Sequence, residues 1–479
     1  MFDTSFLLFL EHLLLNIFIP FIPWLLFLWI FYGKKFEWII LYFLAWFLWV
    51  WVVAFSLLNI QFIHFGIWIL EYFVIVLFLL IIFFLKIYLK RQKLKIYIQT
   101  LKIKNIIPQI KRSFLKLSVI EKIFTIIIFV YSLYFVSISS LFNFNLPTYV
   151  VDSFVNRNNV AYNIYTDWWV KLFGDEDEIL WRWRLWYPIH IPVYKALISR
   201  FVWWVNDVYL NDWQWLVFFF WLLFIFFITF KKTKNIFLSI LPIWLIISLP
   251  LIFFHSFDCM DLPLMIYCVV CIWLFFQYLE SKDFDYLSLW LLFWFIISYI
   301  KNDGFIVYFP WLLFALFVVL CLNKKLIFTV KWFFNNSDDL WKTIWYFMYF
   351  FVPFLVVKLV NWLWFNQAGM QKSWVWWSDK IHREIFPEFK QIFWEMDNYN
   401  LILIMLWLVI ILSFAIKWKN YNDNLFVFAW LFMFLILLAV FLFTVNYEFF
   451  LNQYTVNRVF TMCFVMILAF SWFIFHKRY

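Results

Sequence analysis

The sequence predicts an all-α integral-membrane protein: a multi-pass bundle of about thirteen transmembrane helices, with its chemistry on extracytoplasmic loops. Three observations carry this. The 479-residue chain is 67% hydrophobic with a mean hydropathy of +0.88, whereas water-soluble domains are about 45–50% apolar. Apolar runs of about 20 residues, enough to cross a bilayer as helix, recur along its whole length. Basic residues gather in alternate connections.

In chain order the apolar runs cover roughly 6–32, 37–58, 62–88, 122–144, 213–230, 235–254, 263–280, 286–300, 305–322, 344–364, 399–417, 424–446 and 458–475. Glu11, Glu71 and Lys358 fall inside these runs, as buried polar groups or as signs of a shifted boundary. The first run lacks a small-residue cleavage signal and is expected to be a retained span. Loop 89–121 carries Lys90, Arg91, Lys93, Lys95, Lys102, Lys104, Lys111, Arg112 and Lys116, which makes it cytoplasmic. With thirteen spans, the turns at Lys34-Lys35, Lys231-Lys232-Thr233-Lys234, Lys324-Lys325 and Lys417–Lys419, and the tail His476-Lys477-Arg478, fall on that same side. The N-terminus is then outside. The opposite face receives the loops 145–212, 255–262, 301–304, 365–398 and 447–457.

Residues 1–118 give three helices and the basic loop, without candidate chemistry. Residues 119–479 carry the rest. The net charge of +10 reads as the positive-inside bias plus attraction to anionic lipid headgroups, not as a nucleic-acid surface. Five cysteines suggest no disulfide framework. Cys268 and Cys271 read as core packing rather than metal ligands, because no His or acid set accompanies them.

Polar motifs fall on the predicted outer face. Asp258-Cys259-Met260-Asp261-Leu262-Pro263 opens one helix, and the next, from Tyr286, runs into Lys301-Asn302-Asp303-Gly304. Charge at a membrane boundary is expensive and usually functional. An acidic loop, a helix, a short turn, a second helix and then Lys-Asn-acid-Gly resembles the multi-pass bacterial glycosyltransferases of the GT-C superfamily, which use polyprenyl-phosphate-linked sugars. Their pattern here is Tyr-Ala-Asp-(Val/Leu)-Pro, Gly-Leu-Leu-x-Gly, then Thr-Lys-Asn-Glu-Gly. Asp303 stands where Glu is usual, with a shorter reach.

Further motifs extend the resemblance. Asp152, Asn156, Asn158, Ala161 and Tyr165 match the family's first outer loop, while Val151, Arg157 and Val160 depart from it. Tyr187, Pro188 and Pro192 match Tyr-Pro-x-x-x-Pro, with Arg182 and Arg184 just before. The prolines shape a re-entrant or interfacial segment and then start a helix. Thr455 and Arg458 match Thr-Ser-x-x-Arg, with Val456 in place of Ser.

The resemblance implies a GT-C-like helical fold and an inverting transferase. An acid in the first outer loop, here Asp152, serves as catalytic base or positions the acceptor. An acceptor hydroxyl is a poor nucleophile until a carboxylate takes its proton. Asp152 also suits a helix N-cap, and the two roles are compatible. Asp261 is read as a second catalytic carboxylate or a simple cap. Lys301 and Arg458 are outer-face cations at helix depth, which suits a donor phosphate, although lysine can also snorkel. Arg182 and Arg184 suit phosphate through paired donors, or balance the acidic run Asp175–Glu178. Asn302, Asp303, Tyr187 and Asn156 complete the substrate-binding set, and His190 reads as structural. No cofactor is expected, and a divalent ion at the acidic run is left open. The partners are a polyprenyl-phosphate sugar, a lipid, polysaccharide or protein acceptor, and membrane lipid. A transporter of lipid-linked sugars is the alternative: it needs the phosphate cations but no base, and shows internal repeats, which are not found here.

Trp290 and Trp294 replace the two family glycines. The chain holds 35 Trp and 5 Gly, whereas Gly alone is ordinarily about 7%. Trp plus Gly together reach their usual combined share. The pairs Trp168-Trp169, Trp203-Trp204 and Trp376-Trp377 stand in polar stretches that suit Gly-Gly better. The expectation is a gene that reads UGA as glycine, translated here as tryptophan. Interfacial tryptophans are the alternative.

Overall fold

A computed structural model describes residues 2–32, 52–54, 56, 68–89, 106–145, 158–167, 190–205, 209–249, 252, 261–281 and 283–300, with isolated positions at 387, 435, 465, 468 and 469. Among these residues every regular element is helical: α1 (Phe2–Phe31), α2 (Trp68–Leu89), α3 (Ile106–Lys116), α4 (Val119–Asn145), α5 (Asn159–Asp167), α6 (His190–Val202), α7 (Asp212–Thr233), α8 (Ile236–Ile247), α9 (Asp261–Ser281) and α10 (Phe284–Ile300). Five of them, α1, α2, α4, α7 and α9, are long and apolar enough to cross a membrane. Large apolar side chains stand exposed along α2 and α4, where water would penalise them and lipid would not. The chain is a helical membrane protein.

The predicted runs 37–58, 305–322, 344–364, 399–417, 424–446 and 458–475 lie outside the described residues, apart from isolated positions. Two differences stand out elsewhere. Among the described residues of the run at 235–254, the continuous helix has 12 residues, about 18 Å against a hydrocarbon core of about 30 Å, and Ile252 is helical beyond the break. Leu249 precedes Pro250, whose ring disfavours helix at the residue before it. The predicted loop 145–212 contains α5 in addition to α6, the helix expected to start at the prolines, and α6 is buried along nearly its whole length.

The chain divides into two compact units, Met1–Ile247 with Phe253–Pro263, and Ser248–Ile252 with Leu264–Tyr479. The first unites helices from both sides of residue 118. In it α1 and α2 run parallel. Tyr72 meets α1 at Ile19, Phe83 stacks on Trp29 with ring centroids 5.4 Å apart, and Lys86 Nζ donates to the carbonyls of Trp29 and Ile30. A cation at the last carbonyls of α1 suits its negative dipole end. Proline has no N–H, so Pro23 leaves the Ile19 carbonyl without its helical donor. The Tyr72 hydroxyl donates to that oxygen at 3.2 Å.

The start of α4 is a capping box. Ser118 N–H donates to Glu121 Oε2 at 2.9 Å, and Glu121 N–H donates to Ser118 Oγ at 3.3 Å. α4 and α7 are antiparallel. Phe135 faces Phe218, and Trp215 Nε1 donates to Ser139 Oγ at 3.1 Å. Lys234 in left-handed conformation ends α7, and the Asn235 side chain accepts from the N–H groups of Phe237 and Leu238 to cap α8.

The second unit contains an antiparallel helical hairpin formed by α9 from Leu264 onward and α10. Tyr267 meets Phe293, Phe275 meets Trp290, and Cys271 Sγ donates to the Trp290 carbonyl at 3.6 Å. Asp283 caps α10 by accepting from the Asp285 N–H at 3.1 Å. Cys268 and Cys271 are buried in this packing. Trp290 and Trp294 stack on one another with centroids 5.2 Å apart.

Trp203 follows α6 with φ of 58°. Its N–H donates to Arg200 O and that of Trp204 donates to Ser199 O. This pair of bonds is a Schellman motif with Trp203 at the left-handed position, where glycine is strongly favoured because a Cβ costs energy there. The indole N–H groups of Trp24, Trp221 and Trp290 are buried without hydrogen-bond partners, although tryptophan normally finds one.

Candidate functional site

The described polar cluster lies in the first unit, where α6 pins α5 at both ends. The local reason for α6 is readable: Pro192 sits in its first turn, where a missing N–H costs nothing. α5 is short and turns Val160, Ala161 and Ile164 inward. At its start, Lys195 Nζ donates to Asn158 Oδ1 at 2.5 Å. At its end, Arg200 Nη2 donates to the Tyr165 carbonyl, which lies in the last turn where helical partners run out. The Arg200 guanidinium also stands over the Tyr165 ring, 4.5 Å from its centroid.

Lys195 reaches a third segment. Its ammonium donates to Asn211 Oδ1, just ahead of α7. Asn211 is a favoured capping residue, yet its side chain makes no cap bond; its oxygen serves Lys195 instead. Lys195, Asn158, Asn211 and Asp212 are all buried. A buried ammonium is costly unless acceptors surround it, so the amide oxygens are part of what lets it stay. The Tyr194 hydroxyl donates to Asn16 Oδ1 at 2.9 Å, and Phe201 packs edge-on against Tyr72. These contacts wedge α6 against α1 and α2. Burial pushes the Tyr194 phenol well above its ordinary pKa, and Tyr72 adds to the shift.

Of the residues expected to carry chemistry, Asp261 is described. It is the first residue of α9, buried, at the positive end of the helix dipole. Asp152, Asn156, Arg182, Arg184, Tyr187, Asp258, Lys301, Asn302, Asp303 and Arg458 lie outside the described residues. Asn158 and Tyr165, both matches to the first outer loop, are the partners of Lys195 and Arg200. His190 opens α6 and is buried. Among the described residues no three His, Cys, Asp or Glu side chains group as a metal ion would need.

Sequence reasoning missed Lys195 and Arg200. Their signal was present: two cations five positions apart in the otherwise apolar stretch IPVYKALISRFV.

The arrangement holds α5 against α6, with buried positive charge behind it. No family model matches this chain, and neither a curated protein nor a solved structure is significantly similar to it.

Proposed function

We propose that this protein is an inverting glycosyltransferase of GT-C-like architecture, with about thirteen spans and its N-terminus and site on the extracytoplasmic face. It moves a sugar from polyprenyl phosphate to an acceptor hydroxyl. The observation that carries this reading is the pinning of α5 by Lys195 and Arg200. A general base must be held within hydrogen-bond reach of the proton it takes. Asp152 precedes Asn158 by six residues, so the segment that follows the base is anchored at Asn158 and Tyr165 to the helix opened by the proline motif. The parallel α1 and α2, and the antiparallel α4 and α7, agree with the order of sides derived from the basic loops.

The acceptor oxygen attacks the anomeric carbon as Asp152 takes its proton. The bond from that carbon to the phosphate oxygen breaks, and the electron pair leaves with the phosphate. Lys301, Arg458, Arg182 and Arg184 stabilise the developing phosphate charge. Asp261 favours the oxocarbenium-like sugar, by analogy with glycosidases. Asn156, Tyr187, Asn302 and Asp303 hold the substrates. Asp152→Asn tests this reading. The expected result is donor binding retained and turnover lost by about 10²–10⁴-fold. Unchanged turnover removes Asp152 as base, and donor binding without turnover in the wild type favours a transporter.

A further inference from the structure

Two basic segments that are far apart in sequence meet in the first unit. Ser113 of α3 is buried, and its Oγ accepts the Ile236 N–H at 2.9 Å. This bond places α3 beside the turn between α7 and α8. Close to this bond in sequence are Lys111, Arg112, Lys116 and Lys122 in one segment and Lys231, Lys232 and Lys234 in the other. In 106–122 and 230–236 the only acid is Glu121, and its carboxylate is taken up by Ser118. Lys111, Arg112, Lys116 and Lys234 are exposed.

α3 is also amphipathic. At 100° per residue, Ile106, Ile107, Ile110 and Phe114 share one face, and Arg112 and Lys116 stand opposite. The Ser113 edge faces α8, yet Ile107 and Leu115 remain 68% and 61% exposed. Immediately beyond, α4 begins with Val119 and Ile120, 72% and 68% exposed. An 11-residue helix cannot span a bilayer. Exposed apolar residues beside a row of cations, at the foot of a helix able to cross the membrane, describe a helix lying in the boundary between headgroups and acyl chains.

We propose that α3 and the α7–α8 turn form one docking surface for anionic phospholipid headgroups. Its occupant is the surrounding leaflet: Arg112, Lys116 and Lys234 meet the headgroup phosphates, while Ile107 and Leu115 enter the acyl layer and Lys111, which lies between them on the helix, reaches back to the phosphates along its stem. A soluble polyanion would satisfy the charges and leave those apolar side chains in water, so the observations favour lipid. This goes beyond a general attraction of the net positive charge to anionic headgroups, because it assigns one surface built from two segments and the apolar side chains that insert beside it.

The test uses the full chain in nanodiscs, one set of phosphatidylcholine alone and one with about a third phosphatidylglycerol. Amide exchange is followed over 106–122. The expected result is about tenfold slower exchange in the anionic discs, a difference that shrinks in high salt and disappears in the triple variant Lys111→Gln, Arg112→Gln, Lys116→Gln. The charge-conserving Lys111→Arg, Lys116→Arg variant keeps it, which separates lost lipid contact from lost folding. Equal exchange in both disc types overturns the proposal, as does protection that survives the triple variant. Tighter binding of a duplex RNA than of anionic discs overturns it in favour of a soluble polyanion.

Discussion

Lys195 Nζ donates to Asn158 Oδ1 at 2.5 Å, with both side chains buried. The bond joins the segment after Asp152 to α6, and through Asn211 the same ammonium holds the start of α7. Lys195→Ala strips two buried amide oxygens of one donor. The expected loss is about 1–3 kcal/mol, read as a lower Tm in detergent. Hydrogen exchange over 158–167 should rise more than over α1. Exchange rising uniformly along the chain contradicts a local tie.

The Tyr72–Ile19 bond answers a vacancy made by Pro23. Tyr72→Phe is expected to cost about 1 kcal/mol in the native background. In Pro23→Ala the backbone N–H returns and the tyrosine has less to satisfy. A double-mutant cycle measures this coupling, and strictly additive losses contradict it.

Alkaline stability reports on Tyr194. Burial raises its folded pKa well above the ordinary 10.0, so the folded phenol stays neutral while the unfolded one ionises. Stability is therefore complete below about pH 10 and is lost as pH rises further. Tyr209 is shifted in the same direction by burial and by Asp212. Tyr194→Phe should flatten the decline of Tm between roughly pH 9 and 11 without abolishing it. An unchanged slope contradicts the assignment.

Trp203 holds a glycine's conformation at an exposed helix end. Trp203→Gly is expected to stabilise the protein by about 1 kcal/mol, measured as a raised Tm. The recoding expectation adds a second observable. UGA codons should stand at 24, 203, 221, 290 and 294, and peptides from the source cells should carry the mass of glycine there. UGG codons or tryptophan masses contradict it.

The long helices were legible because a span announces itself in about 20 apolar residues. α1, α2, α4, α7 and α9 all fall on predicted runs. α8 was read too long because a proline's effect on the residue before it is outweighed by hydrophobicity in a running average. α5 was hidden in a predicted loop because it is shorter than a span and carries charge, whereas α6 was announced by the prolines at its start. The site divided the same way. Asp261 stood out as the polar opening of an apolar run, and it opens α9. Lys195 and Arg200 looked like loop polarity, since nothing local shows that a cation five or more residues from any acid will be met by Asn158, Asn211 and a helix-end carbonyl from elsewhere in the chain.

The most direct test of the central claim is release of free polyprenyl phosphate from a panel of lipid-linked sugars, by purified wild type and by Asp152→Asn. The transferase reading predicts release by wild type with at least one donor, and a loss of about 10²–10⁴-fold in the variant. No release with any donor, from folded protein that binds donor, contradicts it.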